Sequence, residues 1–263
     1  LLEWLKARGT SAAVRSIARI KESFPEIEWL KWTLLRAQKI ARQNTWTPLS
    51  PSTLLAFTQD SRKRLVQSED QLIEVILESL RRFEQRLRAE TPTAFRLWNE
   101  RPSYRPKPEE RLSDEIKNHL IEDLQNRGIV ANREVDIRPT ITDALRGQRI
   151  DIKVQAVEFD EHHNPVDVLT VIIEVKGNWN PELFTAMRDQ LRDRYLRENV
   201  CQHGIYLVGW FNCTAWDAVD YRKRQVPKMS LENAIEEFER QAQTLSCDGV
   251  VLRSVVMNTA LPE

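Results

Sequence analysis

The sequence is poor in the residues on which several large protein classes depend. Seven glycines among 263 residues leave no glycine-rich loop to cradle nucleotide phosphates, which argues against a nucleotide hydrolase. The cysteines, Cys201, Cys213 and Cys247, are odd in number, and no pair has metal-ligand spacing. That excludes a disulfide framework and suits a reducing cytoplasm, with the thiols buried as small hydrophobic groups. The histidines, His119, His162, His163 and His203, form no zinc-like pattern. No apolar run reaches the roughly 20 residues of a membrane span, and the start does not resemble a signal peptide, so no membrane partner is expected. Residue 1 is Leu rather than Met, which reads as a piece of a longer protein. Other domains of that parent would be its first partners.

Net charge is also absent, but only in the sum. Residues 1–108 hold 20 basic and 12 acidic side chains, a net of +8, and residues 109–263 hold 19 and 27, a net of −8. A basic front half suits phosphate contact, an acidic partner or a solvated helical surface equally.

The front half reads as helices. Ser50 and Pro51 give a cap and a first helical residue, and Leu72, Ile76, Leu80, Phe83 and Leu87 recur at helical spacing. Trp29, Trp32, Trp46 and Trp98 are expected in the core. The stretch RPSYRPKPEER brings three prolines together with several charges, which predicts a linker over 101–108 between a helical region, 1–100, and a second domain, 109–263.

From 109 the pattern changes. Leu112, Ile116, Leu120 and Leu124 form one helical stripe that stops at Gly128. Three strands follow, IVANREVDI, RIDIKVQAVEF and VLTVIIEVKG, the last two joined by a turn at DEHHNP. A helix over NPELFTAMRDQLRDRYLREN comes next, with Asn180 as cap and Pro181 first. GIYLVGWF then reads as a strand buried on both faces, SLENAIEEFERQAQTLS as a helix and GVVLRSVVMN as a last strand. The order predicts an α/β domain with a mixed sheet.

One strand carries a flaw. In TVIIEVKGNW, Glu174 and Lys176 stand two residues apart and so share a face of an otherwise apolar strand. If the hairpin pairs symmetrically about His162 and His163, Asp151 faces Glu174, with Cβ atoms roughly 4.5–5.5 Å apart. Two opposed carboxylates repel, and a divalent cation between them reverses the sign of that interaction. Mg²⁺ or Mn²⁺ suits such oxygen ligands, and a lysine beside them suits phosphodiester hydrolysis.

Asp151 followed by Glu174-Val175-Lys176 on the next strand resembles the PD-(D/E)xK nuclease superfamily, and the αβββαβ order over 109–211 is similar to its restriction-endonuclease-like core. The resemblance implies Asp151, Glu174 and the Val175 carbonyl as metal ligands, Lys176 as the catalytic lysine, Glu115 as the acid of the preceding helix and Gln190 as a site-facing glutamine. One branch places a tyrosine four residues after that glutamine. Here Tyr195 comes five residues after, so it is not carried over. Ile150 stands where many members have proline. The implied activity is Mg²⁺-dependent endonucleolytic cleavage of DNA by the cytoplasmic effector of a multidomain bacterial defence or restriction protein, with a dimer or higher assembly for double-strand cutting. The alternative is an inactive domain of the same fold that binds nucleic acid or holds an assembly together.

Overall fold

The computed structural model describes residues 1–44, 51–52, 54–55, 66–100, 103–125, 135–140, 150–159 and 165–262. The cap at Ser50, Trp46, the helix stop at Gly128 and the turn at His162–His163 lie outside them. Two compact units can be told apart, one of residues 1–68, 127–136 and 156–169 and one of residues 69–126, 137–155 and 170–263.

In the first unit three helices pack on one another: α1 (Leu2–Arg8), α2 (Ser11–Ser23) and α3 (Trp29–Asn44). Thr10 caps α2 by accepting the Ala13 N–H at 3.2 Å, and Gly9 ends α1 in the left-handed conformation that a side chain resists. Val14, Ile17, Ala37 and Ala41 meet in a small core. Arg42 on α3 pairs with buried Asp167 at 2.7 Å.

The second unit is mixed α/β. Strands β1 (Trp98–Asn99) and β2 (Arg105–Pro106) pair antiparallel across the proline-rich stretch. The main sheet, of which residues 137–155 and 170–263 belong to this unit, runs β3 (Val135–Thr140), β4 (Ile152–Phe159), β5 (Pro165–Gly177), β6 (His203–Trp210) and β7 (Val251–Asn258), in that spatial order. β5, β6 and β7 are parallel, with Glu174 opposite Tyr206 and Lys176 opposite Val208. Residues 160–164 alone join β4 to β5, too short a link for a parallel crossover, so the sheet is mixed.

Register partners in a sheet share a face. Ile172, Tyr206, Val208 and Trp210 therefore point to the side where Leu183, Met187, Leu191 and Phe238 complete the core. That side is covered by a helical segment over Met187–Leu196 and by α6 (Leu231–Leu245), which Ser230 caps. The opposite side carries α5 (Glu109–Gln125). A Cβ added to Gly209 would stand 2.5 Å from Leu112 of α5, so glycine there permits the close approach of helix to sheet. α4 (Glu69–Leu87) packs on α5, β6 and β7, and Ser79 and Arg82 both donate to Asp123. The open edge of β7 is blunted by side chains: Ser246 Oγ accepts the Leu252 N–H, and Glu84 accepts the Asn258 N–H at 2.7 Å.

Three expectations need correction in detail. The segment after Asn180 is a turn followed by a π-helix rather than an α-helix, although Asn180 Oδ1 does accept the Glu182 N–H. Of the thiols, Cys201 is buried with its pKa pushed up to about 12 by desolvation, whereas Cys213 is half-buried and Cys247 exposed. Trp98 is core, but Trp29 is 56% exposed. Among the described residues no helix is long and apolar enough to cross a membrane.

Candidate active site

The site grows from the mismatch between two neighbouring strands. β4 begins only at Ile152, while β5 runs on to Gly177. Backbone groups at the end of β5 therefore have no ladder partner on the β4 side. Two carboxylates take that place. Asp151, in the bend just before β4, accepts the Val175 N–H at 2.8 Å. Glu109, the first residue of α5, accepts the Gly177 N–H at 2.8 Å and both its oxygens take the Asn180 amide at 2.9 Å. A residue's N–H and C=O point to one side of a strand, so the Val175 carbonyl faces the same edge as Asp151.

Glu174 and Lys176 point into the face covered by the π-helix. Glu174 is 1% and Lys176 8% exposed. Lys176 Nζ donates to Glu174 Oε1 at 2.5 Å and to Gln190 Oε1 at 2.9 Å, and Gln190 Nε2 donates in turn to Glu182 at 2.6 Å. An ammonium has three donors, so one remains for another acceptor. Glu174 Oε2 is buried with no donor.

The electrostatics follow from crowding. Burial, then the Asp151 charge, pushes the Glu174 carboxyl up to about 8. Burial also raises Asp151, against the Val175 N–H and Lys176, which favour its charged form. Glu109 is raised by burial too. Burial alone would lower Lys176, but the adjoining Glu174 outweighs it and holds the ammonium charged. Three carboxyls thus crowd one ammonium, and the charge of Asp151 adds to the burial that raises Glu174.

The structure brings together Asp151, Glu174, Val175, Lys176 and Gln190. It does not bring Glu115. That residue lies six positions beyond Glu109 on α5, about 9 Å along the axis and a third of a turn away. It pairs with Arg111 at 3.3 Å and Arg96 at 3.9 Å and lines a separate cavity with Phe83, Arg86 and His119. The helix acid at the site is Glu109, missed although an acid at a helix start after proline is a readable anchor.

Five residues separate Gln190 from Tyr195, one too many for successive α-helical turns, and here the π-helix intervenes. Its i to i+5 bonding places residues five apart on successive turns, so the additional residue is absorbed. Tyr195 is 5% exposed, and burial followed by the Glu174 charge raises its hydroxyl, which puts the ring near the acids.

The donor set fits a hard divalent cation: two carboxylates, one with an oxygen lacking any donor, and a carbonyl directed to the same edge. Among the described residues no group of three or more His, Cys, Asp and Glu side chains could hold a metal by itself, so a carbonyl or water would complete the shell. Comparison of the chain with protein-family models, curated proteins and solved structures finds no match to any of them.

Proposed function

We propose that the chain hydrolyses phosphodiester bonds of DNA with the help of Mg²⁺ or Mn²⁺, as an endonuclease of the PD-(D/E)xK type. The observation that carries this reading is the crowding of buried carboxyls at the end of β5, where Glu174 Oε2 has no donor although Lys176 lies against the other oxygen. A fold leaves such an atom bare at a cost of about 1–3 kcal/mol, which a ligand at the site would offset. Asp151, Glu174 and the Val175 carbonyl would hold the ion, which supplies polarisation of a phosphate oxygen and a more acidic bound water.

The chain's own groups do the rest. Gln190, itself fixed by Glu182, orients the Lys176 ammonium so that its third N–H can reach a phosphate or water oxygen. Glu109 fixes the backbone of Gly177 and the side chain of Asn180, and so the end of the strand that presents Lys176.

The test is incubation of the full chain with supercoiled plasmid and with single-stranded DNA, in Mg²⁺, in Mn²⁺ and in EDTA. Metal-dependent cleavage that Lys176→Ala abolishes, with the fold intact by circular dichroism, is expected. Cleavage by the variant at near wild-type rate would remove Lys176 from the mechanism. No cleavage under any condition would leave a domain that binds nucleic acid without cutting it.

A further inference from the structure

The loop from Phe211 to Ser230 leaves the same end of the sheet as Lys176, since β6 is parallel to β5 and Gly209 pairs with Gly177. The loop is long but tightly held. Trp216 is 1% exposed, packed edge-on against Trp98 and Trp179 at 5.8 Å, and its indole N–H donates to Asp220 at 3.0 Å. Asp220 also accepts from the Arg222 backbone and guanidinium, while Lys223 Nζ donates to the Trp216 carbonyl. Asp217 accepts from Ser103 at 2.6 Å and from Arg105 at 2.7 Å. Arg222 lies over the Trp179 ring at 5.2 Å, so the loop stands beside a residue only three positions past Lys176, in the turn that follows β5.

This rigid frame holds an aromatic ring out in water. Tyr221 is 69% and Val219 74% exposed, and Arg224 and Lys228, three and seven residues past Tyr221, are exposed as well. Residues 219–228 contain four cations, Arg222, Lys223, Arg224 and Lys228, against Asp220 alone, whose charge Arg222 already meets. The bonds that hold the loop leave the Tyr221 ring open to a planar partner.

We propose that this tip is a binding platform for a single-stranded nucleic-acid segment: Tyr221 stacks on an unpaired base, and Arg224 and Lys228 contact the adjoining phosphates. Bases in a duplex are stacked on each other and offer no free face to a convex tip, whereas an unpaired base does. The proposal deepens the nuclease reading, on which it rests for the cutting that would follow, by naming the form of substrate that reaches the site.

The experiment is fluorescence anisotropy of the full chain in EDTA, with labelled oligo-dT, oligo-rU and a blunt DNA duplex as probes. Wild type is expected to bind the single strands more tightly than the duplex. Tyr221→Ala should weaken single-strand binding by about fivefold or more while Tyr221→Phe binds as wild type. Arg224→Ala with Lys228→Ala should reduce the slope of log affinity against log salt by about 1.4, the loss of two phosphate contacts. The two homopolymers decide between DNA and RNA as the source of the strand. Unchanged binding by Tyr221→Ala, preference for the duplex, or no binding to any probe would each overturn the proposal. Binding of this pattern without cleavage in Mg²⁺ or Mn²⁺ would sink the nuclease reading and leave the platform standing; cleavage with a Tyr221→Ala variant that binds normally would do the reverse.

Discussion

Glu174 is held where a carboxylate is least at home, buried on the core face of β5 beside Asp151. Its ordinary pKa of 4.5 is pushed up to about 8 in the fold. Between those values the folded chain keeps a proton that the unfolded chain has lost. The stabilisation is therefore complete below 4.5 and is lost as the pH rises through about 8. In EDTA the protein should melt at a lower temperature near pH 9 than near pH 6, and Glu174→Gln should flatten that dependence. A melting temperature that climbs over this range in wild type would mean that Lys176 keeps Glu174 ionised throughout. Asp151→Asn tests the neighbouring acid. Asparagine keeps an oxygen for the Val175 N–H and removes a carboxyl whose charged form burial disfavours and whose charge raises Glu174. The metal-free variant should be as stable as wild type or slightly more so, by about 0.2–1 kcal/mol. Wild type should gain stability on Mn²⁺ titration because the ion binds the folded state, and the variant should gain much less. Equal shifts in the two melts would place the ion elsewhere.

Among the elements, the strands were the most legible part of the sequence. β6 and β7 are bounded nearly as their apolar runs suggest, and Glu174 and Lys176 were legible as a pair because a strand's alternation makes charges on an apolar face conspicuous. Glu109 was obscured because nothing in the local pattern shows that a helix start reaches the end of a distant strand. Glu115, which the resemblance implies for that helix, is turned by the helix phase to the cavity beside Arg111. Tyr195 was obscured because spacing rules assume an α-helix, and the π-helix over Met187–Leu196 changes the phase. That segment makes its own prediction. Deleting exposed Asp193 removes the surplus residue between Gln190 and Tyr195 and restores α-helical spacing. The deletion should fold, melt within a few degrees of wild type and retain cleavage, since Met187 and Leu191 keep their places in the core. A deletion that folds but loses cleavage would show that the π-helix itself sets the geometry of Gln190 and Lys176.

For the whole molecule the question is where an independently folding unit begins. The proline-rich stretch suggests 109, and the residues around it are more ordered than a loose linker: Trp98 is 1% exposed and donates its indole N–H to the Thr259 carbonyl at 2.9 Å, and Arg105 pairs with Asp217. Earlier still, α4 buries Leu72, Ile73, Ile76, Leu80, Phe83 and Leu87 almost completely while packing on α5, β6 and β7. Removing α4 would bare to water the apolar surface of α5, β6 and β7 that it covers. A fragment of residues 69–263 is therefore expected to melt cooperatively, and one of residues 109–263 to show no cooperative transition and to bind a hydrophobic dye. Arg42 is removed in both fragments, leaving Asp167 without its partner, so neither difference between them can be laid to that ion pair. Circular dichroism melts of the two fragments beside the full chain decide the matter. A sharp transition for 109–263 near the full-length temperature would mean that the sheet with α5 and α6 forms a sufficient core, and would put the boundary back at the prolines.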